Sequence, residues 1–75
     1  MEKASLKYVQ LHFGRKVKER RNLLRISQED LARDAHLHWS YISSVERGQR
    51  NISLINIAKL AKALNCHMKE FFPEL

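Results

Sequence analysis

Cysteine is almost missing from this chain: Cys66 is the only one among 75 residues. One thiol excludes an intrachain disulfide. It suits a small apolar side chain packed in a reducing compartment, with a reactive or intersubunit thiol as the alternative. Proline occurs once and glycine twice, and clusters of β-branched residues are few. That leaves little material for the tight turns and strands of a sheet protein, so an all-α fold is expected. No apolar run approaches the roughly 20 residues that cross a bilayer, and there is no signal-peptide core. No membrane partner is expected, and the expected location is cytoplasmic.

Catalytic and metal-binding groupings are missing too. Among four histidines, His36 and His38 stand two apart at a turn, and His12 and His67 lie far away. None has the spacing of zinc ligands. There is no Gly-rich phosphate loop, and the residue order argues for no Ser-His-Asp grouping. The chain reads as a non-enzyme with no cofactor and no metal.

What the chain has in excess is positive charge. Fourteen Lys and Arg oppose eight Asp and Glu, for a net charge of +6 and a pI near 9.9. Such a balance either keeps a protein well solvated or points to a polyanion, because basic groups that neutralise phosphates release counterions and gain affinity. The length fits one domain over residues 1–75. A chain this short buries only about 60–65% of its unfolded surface, so a second subunit would add to a modest stability.

Apolar residues at helical spacing divide the chain into five helices. Residues 1–5 are polar and expected to fray. Leu6, Gln10, Phe13, Val17, Arg21 and Leu24 form the stripe of the first helix. Gln10 falls where that face is partly open. Arg21 lies mid-stripe, and a buried guanidinium needs a carboxylate. Glu46, beside Val45 on the inner side of a later helix, is the candidate partner; the alternative is that both are solvated. Ser27 caps the second helix by accepting a backbone N–H near Asp30, and Glu29 and Asp30 complement its positive end. Gln28 is its first residue, amide outward, and Leu31, Ala32 and Ala35 are its apolar face. After a break at 36–38, with His38 at a capping position, a third helix covers 39–47. Ile42 and Val45 face inward there, while Trp39, Ser40, Ser43, Ser44 and Arg47 face out or along the rim. Gly48 stops it in a left-handed conformation. Gln49, Arg50 and Asn51 form a polar loop. Ser53 caps a fourth helix over 54–64, with Leu54, Ile57, Ala58, Leu60, Ala61 and Leu64 as its apolar face and Asn65 as its stop. Residues 67–72 read as a short fifth helix, closed by Pro73.

The second and third helices are too short to bury their stripes alone, and the small Ala32 lets one cross close over the other. This is the layout of a helix-turn-helix, whose second helix can lie in the DNA major groove. Gln28, Leu31, Ala32, Tyr41, Ile42, Glu46, Arg47 and Gly48, with flanking helices at matching spacing, resemble the lambda-repressor/Cro-like (XRE) family over roughly residues 13–72. The length and the stretch SYISSVERGQRNIS look like the small controllers of restriction-modification operons. The resemblance implies a five-helix DNA-binding domain. It implies a transcriptional regulator that acts as a homodimer on an inverted-repeat operator, with half-sites about 34 Å apart. It also implies an Arg21–Glu46 ion pair, and a glycine where this chain has His36, at a position that wants positive φ.

The candidate DNA contacts are of two kinds. Phosphate contacts are assigned to Gln28, Tyr41, Arg50 and Asn51, helped by backbone N–H groups at helix starts. Base contacts are assigned to Trp39, Ser40, Ser43, Ser44 and Arg47. Arg47 either makes a bidentate contact to guanine or reaches only phosphate. Serines are permissive readers, so DNA shape is expected to contribute. Trp39 either packs on a thymine methyl or sugar, or is a core or dimer-surface aromatic. Most of Arg15, Lys16, Lys18, Arg20 and Arg25 are assigned to a solvated face that raises the positive field, with a phosphate contact as the alternative for Arg25, which is near the motif. Ile55, Met68, Phe71, Phe72 and Leu75 are the dimer-interface candidates; one of Phe71 and Phe72 is expected to close the core instead. The alternative to a DNA-binding regulator is a protein-interaction module of the same fold, such as an antitoxin or repressor antagonist.

Overall fold

The computed structural model describes residues 6–72. They form four α-helices and one 3-10 turn: α1 Leu6–Leu23, α2 Gln28–Ala35, α3 Trp39–Glu46, α4 Leu54–Ala63, and the turn Met68–Phe71. The described residues contain no strand. The expected fifth α-helix is this single 3-10 turn. Four residues cannot close the repeated i→i+4 bonds that a stable α-helix needs, and Phe71 plugs it into the core. The expected fraying of residues 1–5, the role of Pro73 and the interface candidate Leu75 lie outside the described residues.

α1 is the scaffold. Its buried face is Phe13, Gly14 and Val17. Glycine in mid-helix costs about 1 kcal/mol relative to alanine, so Gly14 needs a reason. A Cβ there would overlap the carbonyl oxygen of Val45 and lie 2.9 Å from that of Glu46. The missing side chain is what lets α3 press backbone to backbone on α1. Leu24 falls beyond the end of α1 and is exposed, not part of the stripe.

All four helices end in the same way. The residue after the last turn takes a left-handed conformation at Arg25 (φ 60°), His36 (57°), Gly48 (74°) and Asn65 (54°). Paired backbone bonds then close each end, as in Leu37 N–H to Ala32 O at 2.9 Å and His36 N–H to Arg33 O at 3.2 Å. In three of the four, the next residue is partly buried against the core: Ile26, Leu37 and Cys66. That apolar contact offsets the steric cost of a non-glycine residue at positive φ.

The core gathers Phe13 and Val17 of α1, Leu31, Ala32 and Ala35 of α2, Ile42 and Val45 of α3, Ile57, Leu60 and Ala61 of α4, then Leu64 and Phe71. Two residues expected on the inner face of α4, Leu54 and Ala58, are exposed. Ile57, Leu60, Ala61 and Leu64 already fill the space beneath the helix. Phe71 meets Phe13 edge to face at 5.1 Å, and half-buried Phe72 stacks on Phe13 at 5.5 Å. Arg20 is not part of a solvated face. It donates Nε to the Leu64 carbonyl and Nη2 to the Asn65 carbonyl, both at 3.0 Å, and so caps the negative end of α4. Cys66 is half-buried and unpaired, and burial raises its thiol pKa.

Candidate nucleic-acid interface

α2 and α3 are set by their caps. Ser27 Oγ accepts the Asp30 N–H at 2.9 Å, and Asp30 returns the contact by accepting the Ser27 N–H at 3.1 Å. These two bonds, the backbone one first, hold the Asp30 carboxyl below its ordinary pKa. His38 caps α3: its Nδ1 accepts the Ser40 N–H at 3.1 Å, and Ser40 Oγ lies 2.9 Å from the same nitrogen. The left-handed backbone at His36 turns the chain between the two helices.

Beneath α3 lies a closed polar cluster. Arg21 donates Nε and Nη2 to the two Glu46 carboxylate oxygens, at 2.7 and 3.1 Å, and Nη1 to the Ile26 carbonyl at 2.9 Å. The two side chains are 11% and 3% exposed. Gln28 adds a third bond to Glu46, its amide nitrogen reaching Oε1 at 2.9 Å. The expected outward amide of Gln28 is therefore corrected: it points inward because a buried carboxylate draws every donor within reach. At the far end of α3, Lys7 donates to the Gly48 carbonyl at 2.7 Å. Nothing local signals that contact, because 41 residues separate the two.

The outer side of α3 carries Trp39, half exposed at 50%, with Ser40 and Arg47 exposed and Ser43 half-buried. Trp39 is therefore not a core residue. Arg47 Nη1 donates to Ser43 Oγ, and its Nε donates to Gln49 Oε1 at 3.3 Å. The structure corrects the assignment of Ser44, which is only 7% exposed. It lies off the apolar stripe of α3 and is buried by the loop that folds back after the helix. Its hydroxyl donates to the Tyr41 carbonyl at 2.8 Å and accepts Arg50 Nε at 2.9 Å. The Arg50 guanidinium carbon sits 5.2 Å from the Tyr41 ring centre, and the Tyr41 hydroxyl accepts the Asn56 amide at 3.2 Å. Asn51 is exposed beside Arg50.

The interface candidates divide. Ile55 is 68% exposed and Met68 is also exposed. Phe71 is buried and closes the core, which removes it as an interface residue, and Phe72 is half-buried. Exposed Leu54, expected to face inward, lies beside Ile55. The described residues hold no cluster of three or more side chains able to ligate a metal, and no helix long and apolar enough to cross a membrane. What the surface offers is a short helix with an open polar face, flanked by Arg50 and Asn51, on a domain of net charge +6.

The helix-turn-helix family matches residues 17–71. The control protein C.BamHI of Bacillus amyloliquefaciens is 48% identical over 63 residues, which cover 83% of this chain and 78% of that protein. The crystal structure of the restriction-modification controller protein C.AhdI from Aeromonas hydrophila superposes with a TM-score of 0.83 at 48% identity, covering 84% of this chain and 96% of that one. The restriction-modification controller C.Esp1396I, bound to a 19 base pair DNA duplex, superposes with a TM-score of 0.81 at 29% identity, covering 88% of each chain.

Proposed function

This chain belongs to the helix-turn-helix family, among the restriction-modification controllers, and on that premise we propose that it is a transcriptional regulator that binds an inverted-repeat operator in double-stranded DNA as a homodimer. The observation that carries the reading is the open face of α3. Trp39, Ser40 and Arg47 line it exposed, with Ser43 half-buried between them. Laid in a major groove, that face brings the first turn of the helix to the base edges. Arg47 leaves Ser43 and Gln49 to contact a guanine, and Trp39 packs on a thymine methyl. Tyr41, Arg50, Asn51 and the backbone N–H of Gln28 hold the phosphates on either side.

One such module makes few contacts, and pairing two of them doubles the contacts without enlarging the domain. Leu54, Ile55, Met68 and Phe72 supply the apolar surface for pairing. These side chains are exposed or half-buried in the single chain, so a second copy gives them cover.

An anisotropy titration against duplex DNA at several salt concentrations tests the reading. Affinity falls steeply and log-linearly with salt, and one inverted-repeat site is preferred by orders of magnitude over random duplex. A salt-independent affinity, or equal affinity for every sequence, rejects it. Capture of a protein partner without duplex affinity would instead support the interaction-module alternative.

A further inference from the structure

Ser44 is the polar side chain in the motif that the DNA reading leaves without a task. It is buried, so it reads no base. Its contacts have a fixed polarity. A hydroxyl has one proton, and Ser44 spends it on the Tyr41 carbonyl at 2.8 Å. Only its lone pairs remain, and they take Arg50 Nε at 2.9 Å. That bond uses the inner nitrogen of the guanidinium and leaves both Nη nitrogens without a partner among the described residues. The Tyr41 ring lies against the guanidinium at 5.2 Å and limits its rotation. Asn56 donates to the Tyr41 oxygen at 3.2 Å, so that contact leaves the phenol proton free for another acceptor. Arg50 forms no ion pair among the described residues. The result is a fork of N–H donors and one O–H donor on a rigid backing, with no carboxylate among the described residues to quench it. A tetrahedral anion with two adjacent oxygens matches that fork.

We propose that Ser44 is a positioning residue: it reads no base but holds Arg50 by Nε, so that Arg50 and Tyr41 meet one phosphodiester of the DNA backbone in a prepared geometry. The inference rests on the DNA-binding reading above. It predicts that the orientation of Arg50, and not its charge alone, sets part of the affinity.

The test uses a fluorescein-labelled random-sequence duplex, titrated by anisotropy at several NaCl concentrations, because a phosphate contact is independent of sequence. Arg50→Ala is expected to lower affinity and to flatten the log–log salt slope by about 0.9, the loss of one phosphate contact. Ser44→Ala is expected to weaken binding about fivefold, the net size of one ordinary hydrogen bond. In an Arg50→Ala background the same Ser44→Ala change is expected to have no further effect, because its partner is already gone. Arg50→Lys keeps the charge but cannot bond Ser44 through Nε. It is expected to keep the salt slope and lose about fivefold in affinity, a readout that does not depend on Ser44→Ala folding. Equal losses from Ser44→Ala in both backgrounds, or wild-type affinity in Arg50→Lys, would overturn the proposal while leaving DNA binding intact. A wild-type protein with no salt-dependent affinity would instead remove the DNA reading itself.

Discussion

The two sides of α3 follow opposite rules. On the inner side the strong polar groups are matched: Glu46 accepts from Arg21 and Gln28, and the third nitrogen of Arg21 donates to the Ile26 carbonyl. On the outer side, polar groups meet only one another, as Arg47 meets Ser43 and Gln49, and all of them reach solvent. An unmatched charge inside costs several kcal/mol, whereas water satisfies the same group outside. The inner side thus determines where the helix lies, and the outer side stays free to exchange its bonds for those of a ligand.

Four substitutions bear on that contrast. The largest effect belongs to Glu46→Ala, which leaves the Arg21 guanidinium buried without its partner. It is expected to cost about 3–5 kcal/mol, most of the stability of so small a domain, seen as loss of a cooperative thermal transition. Gly14→Ala attacks the same seam from α1. The new methyl meets the Val45 and Glu46 carbonyls, which are backbone and cannot rotate away. An overpacking cost of about 1–3 kcal/mol is expected in denaturant unfolding, and an unchanged midpoint would show that α1 and α3 are less tightly apposed. Arg47→Ala probes the outer side alone. It should leave the unfolding midpoint within about 0.5 kcal/mol of the parent while relaxing base preference at one position per half-site by about 1–3 kcal/mol in competition binding. A large stability loss there would erase the contrast. The smallest effect is a gain. His36→Gly relieves a left-handed backbone between the two motif helices and is expected to raise stability by about 0.5–1 kcal/mol, read as a higher melting temperature.

Much of this arrangement is legible before any coordinates. Ser27, His38 and Ser53 were expected at caps and cap. Gly48 and Asn65 were expected as stops, and a positive φ was expected at His36; all three have it. The Arg21–Glu46 contact follows from one arginine in an apolar stripe that has to find a carboxylate. Three other features gave no such signal. Ser43 and Ser44 are adjacent and chemically identical, yet one lines the outer face and the other is covered by Arg50. Arg20 resembles its solvated neighbours Arg15 and Lys18, and only the position of α4 turns it into a cap. Gly14 shows its purpose only once Val45 lies against it.

Caps, stops and helical stripes depend on residues within about four positions of each other, and the chain carries that information in linear form. These local rules determined the four α-helices, their boundaries to within a residue or two, and the site of the turn in the motif, though not the 3-10 form of Met68–Phe71. How closely α3 approaches α1, which hydroxyl the returning loop covers, and which exposed apolar side chains remain at the start of α4 were decided only by tertiary packing. Each of those outcomes needs groups from distant segments to share one space, and their separation along the chain says nothing about the angle at which they meet.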